Sequence, residues 1–117
     1  MGKLSTHVLD ITAGKPGIGV KIELYAVEAG VKTLLKTDMT NQDGRCNSAL
    51  LEGDTLKVGL YELVFAAGDY FDTLSVALPN PKFIDRVTLA FGIADVTQNY
   101  HVPLVVSPWA YSTYRGS

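Results

Sequence analysis

Leu4-Ser5-Thr6-His7-Val8-Leu9-Asp10-Ile11 is the stretch whose reading decides the fold class. Successive side chains of an extended chain point to opposite faces. Leu4, Thr6, Val8 and Asp10 therefore share one side, and Ser5, His7, Leu9 and Ile11 the other. The turn cluster Gly14-Lys15-Pro16-Gly17 ends this strand. The same alternation returns over residues 20–27, with Val20, Ile22, Leu24 and Ala26 on one face, until Glu28-Ala29-Gly30 breaks it. A weaker strand over 31–37 leads into Thr40-Asn41-Gln42-Asp43-Gly44, a loop of turn formers. Further strands are predicted over 59–67, 84–93, 100–106 and 109–114, the last two joined by Ser107-Pro108. Residues 69–78 differ: Tyr70, Phe71, Leu74 and Leu78 stand at helical spacing, Asp69 suits the N-cap region, and Pro79-Asn80-Pro81 stops the helix. Strands every ~8–12 residues with one short helix predict an antiparallel β-sandwich. No linker or repeat divides residues 1–117, so a single domain is expected.

Composition agrees. Hydrophobic residues make up 47% of the 117 residues and charged residues 19%, enough apolar material for a core and too much for a disordered chain. Ten Lys and Arg against 12 Asp and Glu give a net charge of −2, which argues against nucleic acid or an anionic membrane as partner. No apolar run reaches the ~18–20 residues that span a bilayer. The first residues lack the apolar core of a secretory signal, and Cys46 as the single cysteine permits no internal disulfide. A cytoplasmic protein is expected. Walker A, G-x-S-x-G, H-E-x-x-H and C-x-x-C motifs are all missing, which removes the common nucleotide, α/β-hydrolase and zinc-protease readings.

Titratable chemistry is sparse. His7 and His101 are the two histidines, and histidine is the side chain best suited to proton transfer near neutral pH. Arg45 follows the Asp43-Gly44 turn. Each has an ordinary reading as a strand or loop-end residue. A thiolate at Cys46 and a Ser112–His101–Asp10 triad can be drawn on paper, but no motif supports either.

Four blocks together carry a resemblance. Leu4-Ser5-Thr6-His7-Val8-Leu9-Asp10 followed by Gly14-Lys15-Pro16-Gly17, then Thr40-Asn41-Gln42-Asp43-Gly44-Arg45, then Tyr100-His101-Val102-Pro103-Leu104, and finally Ser107-Pro108-Trp109-Ala110-Tyr111-Ser112-Thr113 with Tyr114-Arg115-Gly116-Ser117 resemble the 5-hydroxyisourate hydrolases of the transthyretin-like family, in the family's order and over nearly the whole chain. Residues 68–84 match in character more than in identity. The resemblance implies a transthyretin-like, eight-stranded antiparallel β-sandwich with one short helix, assembled as a homotetramer, a dimer of dimers with sites in the channel between dimers. It implies hydrolysis of a cyclic amide bond of 5-hydroxyisourate in urate catabolism, with no cofactor and no metal. The product would be 2-oxo-4-hydroxy-4-carboxy-5-ureidoimidazoline. It implies His7 as general base or its orienter, His101 as its partner, Arg45 as substrate anchor and charge stabiliser, Tyr114 as a substrate contact, and the Ser117 carboxylate as a group polarising a histidine. The alternative is a transthyretin-like carrier of a small aromatic ligand, which would favour an apolar channel over two histidines and an arginine.

Overall fold

The structure, a computed structural model, describes residues 2–116. Nine strands appear: β1 (Lys3–Asp10), β2 (Lys15–Pro16), β3 (Lys21–Glu28), β4 (Val31–Met39), β5 (Leu51–Glu52), β6 (Gly59–Phe65), β7 (Val87–Ile93), β8 (Tyr100–Val106) and β9 (Tyr111–Thr113). A 3₁₀ turn over Gly53–Thr55 follows β5, and one helix, α1 (Ala67–Asp72), follows β6. One sheet runs β2-β1-β8-β9, with β5 also paired to β1; the other runs β4-β3-β6-β7. The expected two-sheet sandwich with one short helix is what forms.

The alternation read from the sequence is what builds the core. Leu4, Thr6, Val8 and Asp10 are buried along β1 while Ser5, His7 and Leu9 are only partly so. Leu4, Val8, Leu24, Leu63, Phe65 and Leu104 are fully enclosed between the sheets. Each such side chain contributes roughly 1.5–3 kcal/mol on burial. A one-residue slip of β1 would expose Leu4 and Val8 and bury His7, so the register that forms the core also sets the polar face outward.

Three expectations need correction. The sheets are not wholly antiparallel: β1 and β8 pair in parallel, Leu4 opposite Tyr100 through Asp10 opposite Val106. Alternation carries no information about strand direction, and the long connection a parallel pair requires is supplied here by all the chain between them. The described residues form nine strands where the resemblance implies eight: seven are the ones read from alternation, and β2 and β5 are two-residue pieces too short to show a pattern. The helix is earlier and shorter than 69–78. It starts at Ala67, where the Gly68 amide donates to the Asp85 carbonyl at 2.6 Å, and it ends at Asp72. Leu74 and Leu78 still pack on the core, but from irregular chain.

Tyr70 ties α1 to β1. Its hydroxyl donates to Asp10 Oδ2 at 2.7 Å, and Asp10 Oδ1 accepts from the amides of Thr12 and Ala13 at 2.9 and 3.2 Å. Asp10 is completely buried, so these three donors replace the water its carboxylate loses. Burial first, and then the Asp10 carboxylate, push the Tyr70 phenol well above its ordinary pKa and keep it a donor. No helix is long and apolar enough to cross a membrane among the described residues.

Candidate active site

The parallel register places Ser5 directly opposite His101 on the outward face of the β1–β8 pair. Ser5 Oγ and His101 Nδ1 share a hydrogen bond of 2.8 Å. His7 stands two residues further along β1, on the same face.

Arg45 reaches this face because the loop before it folds back onto β1. Asn41 organises the loop: its Oδ1 accepts from the Asp43 and Arg45 amides at 2.9 and 3.2 Å, and its own amide donates to the Arg45 carbonyl at 2.7 Å. Thr40 anchors the base, its buried hydroxyl donating to the Gly17 carbonyl and accepting from the Val20 amide. The Val8 amide then donates to the Gly44 carbonyl at 2.8 Å, and Arg45 forms an isolated antiparallel bridge with His7. Gly44 adopts φ +75°, and a Cβ there would sit 2.5 Å from the Val8 carbonyl oxygen, so both the turn and the close approach require glycine.

The imidazoles are held differently. His7 Nε2 lies 2.9 Å from the Asp43 carbonyl oxygen. A carbonyl only accepts, so Nε2 carries the hydrogen and Nδ1 is the basic atom of the neutral ring. His101 is covered by the chain's end: the Gly116 amide donates to its carbonyl at 2.8 Å, and a Cβ on Gly116 would fall 2.7 Å from its Cδ2. Arg115 secures that segment, its guanidinium 4.3 Å above the Tyr100 ring and donating to Gln98 Oε1 and the Asn99 carbonyl. Burial, and then the positive Arg45 and the neighbouring His7, hold His101 below its ordinary value of 6.5, so its ring is neutral at pH 7.

A cavity of about 300 Å³ opens beside these groups, lined among others by Lys3, Ser5, Arg45, Asn47, Asn99 and His101. That is at the small end of ligand sites, suited to a compact heterocycle. Cys46 also lines it, but burial and then the Asp38 carboxylate push its thiol up to about 12, so it stays protonated and the nucleophile reading fails. The paper triad fails too. Asp10 pairs with Val106, five residues along from the Ser5–His101 pair, which is about 16 Å of strand. Tyr114 does not line this cavity. It follows the last residue of β9, is exposed, and lines a second cavity of about 430 Å³ against β7. Ser117 lies outside the described residues. No group of three or more His, Cys, Asp or Glu that could hold a metal ion occurs among the described residues. Arg45 and His101 thus share this cavity, while His7 lies beside Arg45 on β1 without lining it; Ser5, Asn41 and Gly116 are additions. The shared face of Ser5 and His7 was the one signal for Ser5.

Fold and cleft together define a transthyretin-like sandwich bearing an imidazole–guanidinium site. The chain belongs to the HIUase/Transthyretin family, whose model matches residues 4–116. It is 56% identical over 117 residues to a 5-hydroxyisourate hydrolase of Ralstonia nicotianae, covering 100% of both chains. The solved 5-hydroxyisourate hydrolase of Klebsiella pneumoniae superposes with a TM-score of 0.82 at 32% identity, covering 100% of both chains. A solved (S)-allantoin synthase superposes with a TM-score of 0.94 at 39% identity; the match covers 99% of this chain and 44% of that one, so this chain spans less than half of it.

Proposed function

We infer that this chain hydrolyses 5-hydroxyisourate, opening a cyclic amide bond with water. The observation that carries the reading is the convergence of a neutral His101 and Arg45, from a strand and a loop, at one small cleft, with His7 beside Arg45 on the same outward face of β1. The cleft's polar lining favours catalysis over an apolar carrier channel.

Water at the cleft gives a proton to His101 Nε2 as its oxygen bonds to the ring carbonyl carbon. The carbonyl π electrons move to oxygen, and the Arg45 guanidinium offers that oxyanion a fixed, charged fork of donors. The tetrahedral centre then collapses, the carbon–nitrogen bond breaks, and the imidazolium returns its proton to the leaving nitrogen. His7, held through Asp43, flanks the cleft on the same face of β1. The products are a carboxylate and the freed nitrogen of 2-oxo-4-hydroxy-4-carboxy-5-ureidoimidazoline.

The decisive measurement is the ultraviolet decay of freshly generated 5-hydroxyisourate with and without the protein. Acceleration over buffer is expected, and no acceleration sinks the reading. In the same assay kcat/KM should fall about tenfold per pH unit once pH drops below the His101 pKa, because the protonated ring accepts no further proton. That limb should lie below 6.5. A limb above 6.5 contradicts His101 as the base.

The active form is a cytoplasmic homotetramer, a dimer of dimers in which Tyr114 meets substrate across an interface. Ile11, Ile18, Trp109 and Tyr111, all exposed on or beside the β1–β8–β9 sheet, support an apolar contact there. The lone free Cys46 suits a reducing compartment. Specific activity should drop as dilution dissociates the assembly, followed by light scattering. Undiminished turnover by a proven monomer refutes the interface site.

A further inference from the structure

Ser5 is the single side chain bonded to the His101 ring among the described residues. We propose that Ser5 is a positioning residue that selects the His101 tautomer: its hydroxyl oxygen accepts the hydrogen of Nδ1, which leaves the Nε2 lone pair for the catalytic water. The inference rests on the hydrolase reading for its kinetic part only.

Three observations carry it. First, the partners sit opposite each other in a continuous parallel ladder, so their 2.8 Å separation is set by backbone pairing rather than by two free rotamers. Second, the Gly116 backbone closes over one side of the ring: its amide bonds the His101 carbonyl, and a Cβ there would fall 2.7 Å from Cδ2. Third, charge selects between the two directions the hydrogen bond can take. A serine hydroxyl can donate or accept. If Ser5 donated to Nδ1, the ring hydrogen would sit on Nε2 and add its positive end to a cavity already holding Arg45 and Lys3. With Nδ1–H donating to Ser5, the lone pair is the part of the ring left toward that positive field. The other titratable neighbour is His7, on the same face of β1, while Arg115 is turned away to Gln98, Asn99 and Tyr100.

The same arrangement gives Ser5 a second use. Its oxygen accepts from the ring, so its own O–H is free to turn into the cavity it lines and donate to a substrate carbonyl. When water gives its proton to Nε2, the ring becomes imidazolium with Nδ1–H still held by Ser5. No proton moves to serine, and charge balances with the hydroxide that joins the substrate carbon.

The test uses the full chain with ¹⁵N-labelled histidine. At pH 8 the long-range ¹H–¹⁵N pattern of His101, assigned with a His101→Gln variant, should show hydrogen on Nδ1. Ser5→Ala should shift His101 mainly to the Nε2–H form and lower kcat about tenfold or more with a smaller change in KM. Ser5→Thr, which keeps a hydroxyl at that position, should restore the Nδ1–H pattern and most of kcat. A wild-type spectrum with hydrogen on Nε2 overturns the proposal, even if Ser5→Ala fails to fold. So does a folded Ser5→Ala variant with unchanged tautomer and turnover. Failure of the wild type to hydrolyse 5-hydroxyisourate would instead remove the hydrolase reading and leave the tautomer measurement intact.

Discussion

His101→Gln should lower kcat for 5-hydroxyisourate by about 10²–10⁴-fold, the span that general-base catalysis contributes. Glutamine fills similar space beneath Gly116 and can still bond Ser5, but its amide accepts no proton near neutral pH. Because the His101 ring is already neutral at pH 7, the loss is one of base function and not of a charge that binds substrate. KM should therefore move much less than kcat, and the acidic limb of the pH profile should vanish with the activity. Stopped-flow ultraviolet kinetics across pH 5–8 would read both. A variant that retains wild-type turnover with its acidic limb intact assigns the base elsewhere, with His7 the next group to test.

Arg45→Ala should cost about 2.7–4 kcal/mol of transition-state stabilisation, or roughly 10²–10³-fold in kcat/KM, as expected for losing a well-aimed donor to a developing oxyanion. The structure makes this a clean experiment. Arg45 meets His7 through a backbone bridge, and the loop is organised by Asn41 and Gly44, so removing the guanidinium leaves the loop's own contacts in place. The thermal unfolding midpoint should stay near that of the wild type. Arg45→Lys should recover part of the loss, since it restores charge without the planar fork. Full activity in Arg45→Ala would show that oxyanion stabilisation comes from another donor, of which Asn99 and Lys3 are in the same cavity.

Much of this was legible in the chain because the core is built by simple alternation. The burial along β1 follows the two faces of residues 4–11 residue by residue, and β8 spans the residues read as a strand. His7, Arg45 and His101 stand out by chemical type and by family resemblance; Arg45 and His101 line one cavity, and His7 lies beside Arg45 on β1. What could not be read is relational. The direction of β8 against β1 and the bond from Ser5 to a histidine 96 residues away depend on pairing between distant segments, which no local pattern encodes. The helix was misplaced because Tyr70, Phe71, Leu74 and Leu78 are all apolar contacts of one core, and core contacts made by a helix turn and by the irregular chain after it leave the same spacing. Tyr114 was assigned by motif, and a motif does not say that the strand ends one residue before it.

The loop over residues 40–45 leans on β1 chiefly through amides and carbonyls, and glycine at 44 is there for the room it leaves rather than for any group it offers. A scaffold joined mostly by main chain depends little on the side chains it displays. Exchanging the imidazoles and the guanidinium for apolar groups would remove the His7–Asp43 bond but leave the main-chain joints in place, and turn a reactive cleft into a passive one. That one family can hold both hydrolases and transthyretins therefore needs no new architecture, only a change of cargo on an unchanged frame.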